Sequence, residues 1–144
     1  MAMVIQPNDE VFLDTSYAVA LSAETDKFHV RALSVADELE RLQTRVITTR
    51  AVFMEIGNSL ARRRYRAAAI RLLAALERDR RIEVVPLSDE LYMRAMQLYS
   101  ARPDKEWGLT DCASFVVMSE RALSIALTSD AHFQQGGFRA LLRE

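Results

Sequence analysis

Four acidic residues of this chain occupy positions from which their side chains can meet. Asp14 ends the apolar run VFLD, and Asp130 ends the run SIALTSD in a similar manner. Asp111 falls in the first turn of one predicted helix, and Glu55 lies within another. Carboxylates that crowd together repel one another, so a cluster of these four requires protons or a cation.

Clustered carboxylate oxygens are hard ligands, which favour Mg²⁺ or Mn²⁺. Such an ion keeps some of its waters, activates one of them as a nucleophile, and neutralises charge on a phosphodiester. The cluster therefore predicts metal-dependent hydrolysis of phosphodiesters. Taken singly, each acid has a simpler interpretation as a helix cap, a turn residue or a solvated side chain. The prediction depends on all four acids arriving at one place.

Four short β-rich runs are the elements that position these acids. They cover residues 11–14, 46–48, 82–85 and 124–128, and longer helical patterns separate them. This alternation predicts an α/β fold of three layers, α/β/α, with a mainly parallel central sheet. The carboxyl ends of parallel strands share one edge, and ligands bind beyond that edge where the strand order reverses. Asp14 and Asp130 are both expected there.

Helix starts follow from capping residues at four places. Asp26 is the predicted cap of a helix within residues 25–43, and Thr49 caps the helix that carries Glu55. Ser88 opens a further helix, and Thr110 is the predicted cap of the helix that begins near Asp111. Residues 65–81 form another amphipathic helix, and FRALL near the end is either a short strand or a helical turn.

Length and composition predict the domain organisation. The chain has 144 residues, of which 50% are apolar, and this suits one compact domain over residues 11–144. Residues 1–10 are expected to form a poorly ordered N-terminal extension. A single cysteine, Cys112, excludes an internal disulfide, and no signal-like start is visible, so a cytoplasmic location is expected. Charged residues interrupt every apolar run well before the roughly 18 residues that a membrane span needs.

Four segments, taken in order, resemble a known family. VFLDTS, MEIGNSL, LTDCASFVVM and ALTSDAHFQQGGF are similar to the PIN-domain ribonucleases, particularly the VapC-like toxins of toxin–antitoxin pairs. The resemblance spans residues 11–142, nearly the whole chain. It implies that Asp14, Glu55, Asp111 and Asp130 are the acidic quartet that holds one or two divalent ions against RNA.

The same resemblance implies further residues and partners. Thr15 or Ser16 would be a polar helper beside the first acid, and Ser114 would be another. The expected partners are an RNA substrate, a cognate antitoxin protein and a second copy of the chain in a homodimer. No further acid stands directly beside Asp111 or Asp130, which leaves the number of metal ions open.

Two other functions remain as alternatives. A PIN-like module can bind RNA or protein without cutting it, and a receiver-type signalling domain also places acids at strand ends. The receiver requires a phosphorylatable aspartate after the third strand, whereas this chain reads IEVVPL there. The segment from Arg62 to Arg81 contains eight arginines, which indicate either RNA phosphate binding or a solvated helix surface. His132 follows Asp130 closely but receives no role.

Overall fold

The computed structural model describes residues 5–144 and contains one five-stranded sheet. All neighbouring strands are parallel, and their order is β3-β2-β1-β4-β5. The strands are β1 Glu10–Leu13, β2 Arg45–Thr49, β3 Ile82–Val85, β4 Ile125–Leu127 and β5 Arg139–Ala140. The predicted parallel sheet is therefore confirmed, and FRALL contains both a strand and a helical turn.

Seven α-helices flank the sheet within residues 5–144, as the predicted three-layer α/β/α fold requires. They are α1 Thr15–Ser22, α2 His29–Leu42, α3 Arg50–Ser59, α4 Arg63–Arg78, α5 Asp89–Ala101, α6 Leu109–Glu120 and α7 Ala131–Gln135. A 3-10 turn, Leu141–Arg143, follows β5. Within the same residues, no helix combines the length and the apolarity needed to cross a membrane.

The central strand β1 is covered on both faces. Val11, Phe12 and Leu13 are all buried, which explains why the sequence reads as a continuous apolar run rather than an alternating one. Phe12 pairs with Ile47 of β2 on one side and with Ala126 of β4 on the other. Because β1 lies between β2 and β4, the end of β1 is placed in the middle of the carboxyl edge.

Two of the four predicted caps are confirmed and two are wrong. Thr49 accepts a hydrogen bond from the Val52 amide, and Ser88 accepts one from the Leu91 amide. Asp26 does not cap α2, which begins at His29, because its carboxylate accepts from the Phe28 amide in the preceding turn. The second correction concerns α6, which starts at Leu109 with Gly108 rather than Thr110 as its N-cap.

Helices α1 and α7 were not predicted from the sequence. The segment TSYAVALS of α1 is apolar on several sides because the helix packs against α2, α3 and α4 at once. No single apolar stripe therefore stands out. At the N-terminus, Ile5 is buried in the core and Glu10 already belongs to β1. Residues 1–4 of the expected extension lie outside the described residues.

An aromatic cluster fixes the segments that carry two of the acids. Phe133 of α7 packs edge-on against Phe115 of α6, with ring centroids 4.9 Å apart, and also contacts Phe12 of β1. Trp107, in the loop before α6, packs on Phe115, and its indole Nε1 donates a 3.0 Å hydrogen bond to Gln135 Oε1. The start of α6 and the short helix α7 are thereby held together.

Candidate active site

The strand order reverses between β1 and β4, and this is where the first and last predicted acids lie. Asp14 directly follows β1, while Thr128 and Asp130 follow β4. The Asp14 amide donates to the Leu127 carbonyl at 3.2 Å, which ties the two strand ends together. In open α/β sheets this reversal point opens a crevice suited to ligands.

One cavity of about 280 Å³ occupies this crevice. It is lined by all four acids, which are Asp14, Glu55, Asp111 and Asp130, and by both hydroxyl residues next to the first acid, Thr15 and Ser16. Val19, Asp26 and Ser59 complete the lining. The expected convergence of the four carboxylates is therefore present. Ser114 does not line the cavity: it is buried within α6 and its hydroxyl donates to the Thr110 carbonyl.

The Asp14 carboxylate is buried and held by two hydroxyl groups. Its Oδ2 accepts a 2.7 Å hydrogen bond from Thr128 Oγ1 and a 3.1 Å bond from Ser16 Oγ. Ser16 Oγ in turn accepts from the Ser129 amide. Although Asp14 is the N-cap residue of α1, its side chain makes no capping hydrogen bond. Helix capping therefore does not account for this acid.

Burial raises the pKa of Asp14 to about 6, and the charge of nearby Asp111 adds to this effect. The Thr128 hydrogen bond acts in the opposite direction, because a donor stabilises the ionised form. The residue Asp14 is only 4% exposed, so water compensates little of the charge on its carboxylate. Without a positive charge nearby, ionising the Asp14 carboxyl costs free energy.

Asp111 lies in the first turn of α6, as predicted. Its Oδ2 accepts from the Gly108 amide at 3.2 Å, so the side chain reaches back to the start of its own helix. The same oxygen lies 3.2 Å from Nδ1 of His132. Burial, followed by the charge of Asp130, raises the pKa of Asp111. Asp111 thus combines a capping contact with a place in the acidic cavity.

Asp130 and His132 complete a compact group with Asp111. One ligand atom from each of these three residues lies within 4.8 Å of the others. Asp130 caps α7 by accepting from the His132 amide, and its own amide donates to Thr128 Oγ1. Nδ1 of His132 lies 3.5 Å from the Asp130 carboxylate. Asp14 and Glu55 line the same cavity without belonging to this compact group.

The residues of the cavity fit a divalent cation. Within residues 5–144, no lysine or arginine forms an ion pair with any of the four acids, whose only basic neighbour within salt-bridge distance is His132. Thr15 lines the cavity, and its buried hydroxyl has no hydrogen-bond partner in the described part of the chain. Several carboxylate oxygens and a free hydroxyl form the hard donor set that Mg²⁺ and Mn²⁺ prefer.

Three contributors to the site were not identified from the sequence. Asp26 lines the cavity, although it was expected only to cap a helix. Thr128 holds Asp14, and His132 contacts Asp111 across 21 positions of sequence. The pattern T-x-D-x-H over residues 128–132 places three polar side chains immediately after a buried strand. This pattern is the sequence signal that could have indicated Thr128 and His132.

Two residues near Asp111, Cys112 and Trp107, pack in the hydrophobic core. Cys112 is fully buried, and burial raises the pKa of its thiol, so it is a packing residue rather than a nucleophile. Trp107 is only 6% exposed, and its indole is engaged by Gln135. It therefore anchors its loop and is not open for stacking on a base.

The chain was compared with curated proteins and with solved structures. Among curated proteins, none matches the chain significantly. The solved structure of Mycobacterium tuberculosis VapC20, a toxin that cleaves the sarcin–ricin loop, is similar with a TM-score of 0.79 and 26% identity. The match covers 90% of this chain and 97% of that one.

Two further solved structures share the fold. VapBC2 from Rickettsia felis, bound to a DNA fragment from its promoter, has a TM-score of 0.61 and 12% identity over 88% of this chain and 92% of that one. VapBC-1 from nontypeable Haemophilus influenzae has a TM-score of 0.60 and 14% identity over 88% of this chain and 91% of that one. The family model described as PIN domain matches residues 11–138, and this chain therefore belongs to the PIN-domain family.

Proposed function

We propose that this protein is a divalent-metal-dependent endoribonuclease that hydrolyses RNA phosphodiesters and acts as the toxin of a toxin–antitoxin pair. The observation that carries the proposal is the convergence of Asp14, Glu55, Asp111 and Asp130 on one cavity without an arginine or lysine partner. Such a cluster destabilises a protein unless a bound cation compensates it. Membership of the PIN family and the likeness to VapC20 support the same activity.

Each side chain has a distinct part in this proposal. Asp111 and Asp130 would hold the cation from the compact group, and Asp14, directly after β1, and Glu55 of α3 would contribute further carboxylates. Thr128 and Ser16 orient the Asp14 carboxylate. His132 Nδ1 donates to the ionised Asp111 carboxylate and fixes its direction. The bound ion would supply charge neutralisation at the scissile phosphate and lower the pKa of the attacking water.

The proposed substrate and partners follow from the relatives. VapC20 cleaves the sarcin–ricin loop, which makes exposed RNA loops the first substrates to test. Proteins that cleave or bind RNA recognise its sequence mainly where the bases are unpaired, as they are in a loop. The VapBC structures support a cognate antitoxin as the protein partner. A homodimer and a cytoplasmic location remain part of the proposal.

Cleavage of a mixed pool of structured RNA tests the function directly. The purified protein is incubated with Mn²⁺ or Mg²⁺, with a chelator, and as Asp14→Asn and Asp111→Asn variants. Asp89→Asn, an exposed acid in the first turn of α5, is the matched control. We expect metal-dependent cleavage that both site variants lose and the control keeps. Metal binding by folded wild-type protein without any cleavage would favour a PIN-like module that binds RNA or protein without cutting.

A further inference from the structure

Seven arginines between residues 62 and 80 have no carboxylate or hydrogen-bond partner in the described part of the chain. We call this set the arginine segment, and its members are Arg62, Arg63, Arg64, Arg66, Arg71, Arg78 and Arg80. All seven are exposed, and none forms an ion pair or donates a side-chain hydrogen bond within residues 5–144. Free guanidinium groups are therefore concentrated on one part of the surface.

The remaining ten arginines of the described chain are all engaged. Eight form ion pairs with carboxylates, namely Arg41, Arg45, Arg50, Arg81, Arg94, Arg102, Arg121 and Arg139. The other two, Arg31 and Arg143, donate to backbone carbonyls. Being unpaired is thus a property of the arginine segment and not of surface arginines in this protein generally.

The acids inside the segment do not neutralise it. Glu77 and Asp79 are the only two acids between residues 62 and 80. Glu77 pairs with Arg50 of α3, and Asp79 pairs with Arg81, and both of these arginines lie outside the segment. Seven arginines and two acids leave a local formal charge of +5 in a chain whose net charge is −1.

Three of the seven arginines, Arg64, Arg71 and Arg78, form a stripe along the outward face of α4. Ala69 and Leu76 are the buried positions of this helix. Arg71 and Arg78 each lie two residues later, about 200° around the helix axis, and so point away from the core. Arg64, Arg71 and Arg78 recur every seven residues and cover about 21 Å at the helical rise. The guanidinium of Arg64 lies 5.4 Å from the ring centre of Tyr65, which supports it from beneath.

The arginine segment begins close to the acidic cavity. Ser59, the last residue of α3, lines the cavity, and Arg62 follows only three positions later. Three residues of extended chain reach at most about 11 Å. An RNA strand bound at the cavity therefore passes within reach of the start of the arginine segment.

We infer that the arginine segment binds the phosphates of the RNA strand that flanks the cleaved bond. This inference rests on the proposed function, because it takes the substrate to be RNA. Guanidinium groups bind phosphate oxygens through paired hydrogen bonds and keep their charge at every physiological pH. A protein partner would instead need an apolar centre for its interface, whereas Ile70 is the only exposed large apolar side chain of α4. The segment supplies the attraction for polyanions that the acidic cavity lacks.

Replacing three stripe arginines tests this inference. The variant Arg64→Gln, Arg71→Gln, Arg78→Gln is made in an Asp14→Asn background, so that bound RNA stays intact. Its control carries Arg41→Gln, Arg45→Gln and Arg121→Gln in the same background, which removes the same charge from arginines that are paired elsewhere. Glutamine is a good helix former, so α4 is expected to remain folded. Circular dichroism and thermal melting check this.

The measurement is binding of a short, fluorescently labelled single-stranded RNA of mixed sequence at several salt concentrations. We expect the stripe variant to bind at least about tenfold more weakly, and its slope of log affinity against log salt to fall by about 2, since each lost phosphate contact with a single strand removes about 0.7. The control is expected to stay within about twofold of its parent and to keep its slope.

Several outcomes separate this inference from the proposed nuclease function. Equal RNA binding and equal salt slopes in the stripe variant and the control would overturn the inference, as would RNA cleavage at the wild-type rate by the stripe variant with Asp14 restored. Loss of binding to polyglutamate while RNA binding persists would assign the surface to an acidic protein partner instead. Stripe-dependent RNA binding by a protein that never cleaves would support the surface and overturn the nuclease.

Discussion

The Thr128 hydroxyl donates a 2.7 Å hydrogen bond to the Asp14 carboxylate across 114 positions of sequence. Replacing Thr128 with valine keeps the volume of the side chain and removes this donor. We expect Thr128→Val to lower the free energy of unfolding by about 1.5–3 kcal/mol, the range for hydrogen bonds to charged groups. RNA cleavage is expected to fall as well, because the Asp14 carboxylate loses its orientation. Urea unfolding and initial cleavage rates measure the two effects.

Thr44 provides the matched control for this substitution. It is buried like Thr128, but its hydroxyl has no hydrogen-bond partner within residues 5–144. Thr44→Val removes an unpaired buried polar atom, so we expect unchanged or increased stability and unchanged cleavage. A loss of stability equal to that of Thr128→Val would show that the Asp14 contact has no special role.

Asp14→Asn is expected to stabilise the metal-free protein while abolishing cleavage. Burial raises the pKa of Asp14 to about 6 from an ordinary value of 3.8. At neutral pH the ionised carboxylate therefore opposes folding, by on the order of 2–3 kcal/mol, and the neutral amide removes this cost. Denaturant unfolding in chelator at about pH 7.5 measures the gain. A less stable Asp14→Asn protein would contradict it.

The raised pKa of Asp14 also predicts how the stability gained by Asp14→Asn depends on pH. Because the folded pKa of Asp14 lies above the unfolded value, folding takes up a proton between about pH 6 and pH 3.8. The stability of the metal-free wild type, relative to Asp14→Asn, is therefore lowest above pH 6 and rises as the pH falls through this window. Below it both states are protonated, and the advantage of the amide disappears. Comparing the two proteins at each pH cancels the titration of acids that do not interact with Asp14.

Divalent ions are expected to raise the melting temperature of the wild type by an amount that grows with the logarithm of the free ion concentration above Kd. At about one hundred times Kd, a ligand of the folded state adds about 2.7 kcal/mol. Asp130→Asn should lose this stabilisation, although asparagine still caps α7 by accepting from the His132 amide. Thermal melts with and without Mn²⁺ make the comparison. An Asp130→Asn protein that responds to Mn²⁺ like the wild type would place the ion elsewhere.

Two serines that the family resemblance implies as helpers should behave differently. Ser16 contacts the Asp14 carboxylate and accepts from the Ser129 amide, whereas Ser114 donates to a carbonyl within its own helix. We expect Ser16→Ala to slow cleavage by about fivefold to tenfold, equivalent to about 1 kcal/mol. Ser114→Ala should leave the rate nearly unchanged. Equal effects of the two substitutions on initial rates would contradict this assignment.

The strands and the meeting of the acids were predictable because both follow from local pattern and parallel topology. Val11, Phe12 and Leu13 form the continuous apolar run that is typical of a strand covered on both faces, and Asp14 directly ends it. Once the sheet is parallel, the carboxyl ends of its strands must share an edge. The positions of Asp14 and Asp130 at one cavity then required no knowledge of side-chain packing.

Other features depended on contacts that a linear pattern does not contain. Gly108 rather than Thr110 starts α6 because the Asp111 side chain reaches back to the Gly108 amide, while Asp111 itself faces the cavity. His132 joins Asp111 only because Phe133 packs against Phe115 and holds α7 in place. These relationships are tertiary, and the short length of α7 hid them from helical periodicity.

The hydrogen bond between Thr128 and Asp14 also determines when, during synthesis of the chain, the site can form. A protein is synthesised from its N-terminus, so β1 emerges before its neighbour β4, and Thr128 is made 114 positions after Asp14. A nascent chain therefore carries the first acid without the Thr128 hydroxyl until β4 and the residues after it have been made. The acidic cavity can be completed only after this last of its strand ends has left the ribosome.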